Sequence, residues 1–147
     1  MTALLGRLQG DLNSARKAQD KPLTLLLGTV LADVKNRQIE LRRDPTDDEV
    51  LDVLRKGIKR RRESLDAYRS AGREDLASKE RSEVEVLERY LPPQASEDDL
   101  RAAVRAAVGG GATTIGAVMG KVLPQFKGRA DGAVINAIAR EELSKLG

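Results

Sequence analysis

The chain has 147 residues, of which 40% are hydrophobic and 33% charged, with a net charge of +3 and a pI of about 9.3. It contains no cysteine and no histidine, which excludes disulfides, thiolate nucleophiles, imidazole bases and most zinc or iron sites. Tyr68, Tyr90 and Phe126 are its only aromatics, so the core must be built from Leu, Val, Ile and Ala, a composition that favours packed helices over a β-sandwich.

Helical spacing of Leu4, Leu5, Leu8, Leu12 and Ala15 predicts a first helix from about Ala3 to Ala18. Asp20-Lys21-Pro22 breaks it, because proline is tolerated at a helix start and not inside. A second helix is expected from about Leu23 to Arg43, with Leu27, Leu31, Val34, Gln38 and Leu41 on one stripe. Its apolar start, Leu23 to Ala32, stops at Asp33, well short of the ~20 residues a membrane span needs. It reads as a helix deep in the core, and no membrane partner is expected.

Asp44-Pro45 ends the second helix, and TDDE opens the third: Thr46 can cap it while Glu49 reaches back. Val50, Val53, Leu54, Ile58 and Leu65 line one face, and Ala71-Gly72 is the stop. A fourth helix, about Arg73 to Tyr90, carries Leu76, Val84 and Leu87 among dense charge. Pro92-Pro93 is the strongest break in the chain, and the domain boundary belongs within Leu91 to Ala95. Beyond it, Ser96 caps a helix through Val108, three glycines follow, Thr114 caps the next helix, and Pro124 ends or kinks it. Val134, Ile135, Ile138 and Leu143 mark the last one. The expected fold is all-α: four helices over 1–91, then three over 96–147.

Few motifs carry chemistry. GGGATTIGAVMGK invites a phosphate-loop reading but fails on spacing, since three residues separate Gly116 from Gly120 and Val122 follows Lys121 where Ser or Thr is needed. Arg55, Lys56, Lys59, Arg60, Arg61 and Arg62 place six positive charges in eight residues. Helical geometry spreads them round the helix, which suits a solvated face better than a single stripe. Lys121, Lys127 and Arg129 are fewer, but Lys127 and Arg129 lie in a turn next to the last helix's N-terminus, which favours anions. Asp131 is expected to cap that helix. No nucleophile has a visible base and no metal-ligand cluster is apparent, so no catalytic residue, metal or cofactor is expected.

The stretch GKVLPQFKGRADGAVINAIAREEL, together with RRESLDAYRSAGREDLA and the Glu88–Gln94 boundary ERYLPPQ, resembles the GatB/YqeY family over nearly the whole chain. LPQF departs from a pattern closer to M-P-K, leaving Gln125 where a lysine would stand. The part from Ser96 onward is similar to the tail domain of the B subunit of the glutamine-dependent tRNA amidotransferase, a tail that helps to hold tRNA. The family label of carbon–nitrogen ligation with glutamine as nitrogen donor requires domains this chain lacks, so no enzyme activity is expected of it alone. The resemblance implies a cytoplasmic accessory protein binding tRNA or structured RNA. Lys121, Lys127 and Arg129 would contact phosphates, with Gly128 and Gly132 shaping the turn. The alternative is an interaction module docking on a tRNA synthetase or amidotransferase through the charged third and fourth helices.

Overall fold

The computed structural model describes residues 2–146 and is helical throughout, with no strand among them. Seven α-helices follow in order: α1 (Ala3–Lys17), α2 (Lys21–Leu41), α3 (Asp47–Ser70), α4 (Glu74–Glu88), α5 (Glu97–Gly109), α6 (Ile115–Val122) and α7 (Gly132–Ser144). A 3₁₀ turn, Leu123–Phe126, separates the last two. The backbone forms two compact units, one through Leu91 and one from Pro92.

Short polar side chains start most of these helices by satisfying backbone N–H groups that have no partner within the helix. The Thr46 hydroxyl accepts from the Glu49 amide at 3.2 Å and the Glu49 carboxylate accepts from the Thr46 amide at 3.0 Å, a complete capping box. Arg43 clasps the same carboxylate at 2.7 Å. Thr46→Ala is expected to destabilise the first unit by ~1 kcal/mol, read as a lower urea midpoint with unchanged slope; an unchanged midpoint would show the box to be dispensable. Asp20, Ser96, Thr114 and Asp131 cap α2, α5, α6 and α7 in the same way. Pro22 stands in the first turn of α2, where its missing N–H costs nothing. Pro124 lies in the 3₁₀ turn that ends α6.

The first unit closes over one apolar cluster. Leu8, Leu27, Val50, Leu54 and Leu87 are fully buried in it. The buried stripe of α2 runs through Leu26, Leu27, Val30 and Val34, so Leu27 and Val34 of the expected stripe lie in the core while Leu31, Gln38 and Leu41 are only half-buried. Leu25 is 67% exposed, which corrects the reading of Leu23 to Ala32 as wholly interior. A helix with 3.6 residues per turn turns one face outward even in an apolar run.

The second unit has its own cluster, centred on Val104, Val118, Val122, Ile135 and Ala139, with Phe126 at its edge. Its one buried charged residue is Glu142. Arg101 donates to it at 2.7 Å, Arg105 at 3.2 Å and Lys145 at 3.2 Å, while Arg101 also reaches Glu97 and Glu141. These bonds, those from Arg101 and Arg105 foremost, hold the Glu142 carboxyl down to about 2.

Candidate functional site

The structure gives each of the basic residues singled out in the sequence a different local setting. Lys121, on the last turn of α6, brings its ammonium beside Gly110 at the C-terminal end of α5, the negative end of that helix. Lys127 follows the 3₁₀ turn and is exposed. Arg129 is half-buried and engaged with its own unit. Its Nε donates to the Pro93 carbonyl at 3.4 Å, its carbonyl accepts from the Ala95 amide at 2.8 Å, and its guanidinium lies over the Phe126 ring. Gly128 supplies the turn with a φ of +75°, which other residues adopt only under strain. Gly132 is the first residue of α7, capped by Asp131. Arg129 and Gly128 thus fasten the Pro93–Ala95 segment to the turn before α7.

The basic run on α3 is also largely committed. Arg55 pairs with Asp52 at 2.8 Å, Arg60 with Asp33 at 3.1 Å, Arg61 with Glu83 at 3.1 Å, and Arg62 with Glu88. Three of these four acids lie on other helices, α2 and α4. Only Lys56 and Lys59 of the run lack an ion pair among the described residues.

A cleft lies elsewhere, between α1, α2 and α4 of the first unit. It measures about 620 Å3, and its apolar floor includes Ala15, Leu23, Leu26 and Val86. One wall is an ordered polar stack. The Tyr90 hydroxyl donates to the Asp11 carboxylate, and the Arg7 guanidinium lies over the Tyr90 ring at 4.5 Å from its centroid. Burial comes first, then the hydrogen bond to Asp11, in pushing the Tyr90 phenol far above its ordinary value; Arg7 and Arg89 pull weakly the other way. Asp11 and Tyr90 lie 79 residues apart in the sequence, so no local pattern announces this pair. Its one signal is Tyr90 itself, among so few aromatics.

Among the described residues, no three or more His, Cys, Asp or Glu side chains are placed to hold a metal ion. No helix among them is long and apolar enough to cross a membrane.

The family model of the YqeY-like proteins matches residues 5–143. The chain belongs to the YqeY-like family. Three relatives carry the name "Altered inheritance of mitochondria protein 41, mitochondrial". The protein from Pyrenophora tritici-repentis is 33% identical over 132 residues, 86% of this chain and 73% of its own length. That from Eremothecium gossypii is 36% identical over 69% of this chain, and that from Saccharomyces cerevisiae (strain YJM789) 31% identical over 67%. This YqeY-like chain spans 57% and 55% of the length of those two.

These findings correct two expectations. The relatives are named for mitochondrial inheritance, not for tRNA binding or for an amidotransferase or its partners, so the accessory role inferred from the amidotransferase tail is withdrawn. In the second unit Lys121 lies beside the end of α5, and Arg129 is bonded to Pro93 and Ala95. The cytoplasmic placement is likewise withdrawn, since the relatives are named mitochondrial. A cysteine-free, mildly basic composition does not discriminate between reducing compartments.

Proposed function

We propose that this YqeY-like chain is a non-catalytic binding module and that the cleft between α1, α2 and α4 is its ligand seat. The observation that carries this reading is the Arg7–Tyr90–Asp11 stack on the wall of an apolar cleft. Small-molecule sites take this form: a largely hydrophobic concavity of ~300–1,000 Å3 with a few fixed polar groups. The stack is built to hold rather than to react. A phenol raised so far keeps its proton at neutral pH, and Asp11 is occupied in accepting it.

A fragment screen by two-dimensional NMR on the full chain tests the reading. Hits are expected to move the amides of Ser14, Ala18, Leu23 and Val86. Ala18→Trp, at an exposed position on the rim, is expected to fill the cleft and abolish those shifts while the circular dichroism spectrum stays helical. Hits that cluster on the second unit, or that survive Ala18→Trp in a folded protein, would sink it. So would turnover of any fragment.

A further inference from the structure

The charges around this cleft are not equally available. Three acids face it, and each is already engaged. Asp11 accepts from the Tyr90 hydroxyl. Asp20 caps α2, its carboxylate accepting from the Leu23 amide at 3.2 Å. Glu83 accepts from Arg61 at 3.1 Å. Two cations line the same cleft, and neither has an acidic partner among the described residues. Arg7 is stacked on Tyr90 through its planar face, so the N–H groups at its edge stay free to donate. Arg89, the residue that ends α4, is exposed at the same wall, beside Tyr90. Asp11 and Asp20 accept only from neutral donors and keep their charge, so what the cleft leaves unpartnered above its apolar floor is the set of guanidinium N–H donors of Arg7 and Arg89.

We propose that the cleft takes an amphipathic anion: a monomeric ligand with an apolar body on Leu23, Leu26 and Val86 and a carboxylate or phosphate head on Arg7 and Arg89. This rests on the cleft being the ligand seat and adds the class of ligand. Guanidinium groups match the geometry of such heads, donating through two N–H groups at once. Tyr90 and Asp11 contribute by holding Arg7 in place. A cationic or purely apolar head would leave these guanidinium donors unpaired.

The test compares three probes with the same chain, each below its micelle concentration: decanoate, decanol and decylammonium. Binding is followed through the cleft amides, with the fragment hits as a reference for an intact cleft. Decanoate is expected to bind in the cleft at least tenfold more tightly than either analogue. Arg7→Gln with Arg89→Gln is expected to weaken decanoate about tenfold and to leave decanol unchanged, while Arg89→Lys in place of Arg89→Gln restores most of the loss.

If decanol or decylammonium binds the cleft as tightly as decanoate, the ligand class is wrong although the cleft reading stands. If fragments occupy the cleft and decanoate does not, the class is again overturned. If decanoate leaves the cleft amides unmoved but phosphatidylglycerol vesicles sediment the protein, the arginines serve a membrane surface and the proposal falls.

Discussion

Leu87→Ala is expected to cost the first unit about 3 kcal/mol, within the ~2–5 kcal/mol range of buried leucine truncations. Leu87 is fully buried on α4 and packs beside Gly57 of α3, where a Cβ would meet Leu87 Cδ1 at an ordinary contact distance of 4.0 Å. The surrounding Leu54, Ile58 and Val84 belong to the same cluster and are held by helix backbones that collapse little into a cavity. The measurement is urea unfolding, where a pure stability change moves the midpoint and leaves the slope alone. Leu25→Ala is the control. That side chain is 67% exposed, and its removal should change stability by no more than ~0.5 kcal/mol. A loss below about 1 kcal/mol for Leu87→Ala would mean that α4 does not close the core as described.

Acid is expected to destabilise the second unit as pH falls from about 5 towards 2. The Glu142 carboxyl is held at about 2, against an ordinary 4.5, by Arg101 and Arg105 first and Lys145 after them. In that window the unfolded chain takes up a proton that the folded one refuses, so protons favour unfolding and stability drops with pH. Above the ordinary carboxylate range the contribution is fully present. Glu142→Gln should lower the melting temperature of this unit at pH 7 and flatten its acid limb, because the titrating group is gone while Arg101 and Arg105 lose their shared acceptor. Melting curves at pH 7, 5, 4 and 3 separate the outcomes; a variant with the parent's pH profile would show that Glu142 is not the sensing group. The second unit is small enough that one such network matters, since short chains bury proportionally less surface. Glu49, also held at about 2 by Arg43 and the Thr46 amide, gives the first unit an acid response of the same sign.

Much of the fold was legible in the sequence, and the legible part was local. Thr46 with Glu49, Ser96, Thr114 and Asp131 act within three residues of themselves, so spacing alone reveals them. Proline and glycine stops are local in the same sense. What escaped is what the fold brings together from a distance. The α3 basic run read as a solvated face, because sequence spacing does not show that Asp33, Glu83 and Glu88 of α2 and α4 come to pair with its arginines. Nothing in the sequence marks Glu142, against which α5 lays two arginines. The stripe of α2 was legible only in part, at Leu27 and Val34, because nearly every position in its apolar start would have served as core. The cleft needed α1, α2 and α4 at once: Asp11 and Tyr90 carry no shared motif, and Arg7 and Arg89 stand out only once the neighbouring acids are found engaged.

The few aromatics have an optical consequence. With no tryptophan in the chain, near-ultraviolet fluorescence comes from Tyr68 and Tyr90, both of which precede Pro92, while Phe126 is the lone ring beyond it. Tyrosine emission is therefore a private channel for the first unit, whereas the amide signal of circular dichroism sums both. Without any label, two superimposed optical melts would report one cooperative event, and two displaced melts would date the loss of each core separately. The same emission carries Tyr90 at the wall of the cleft, so the protein brings its own reporter to a binding titration.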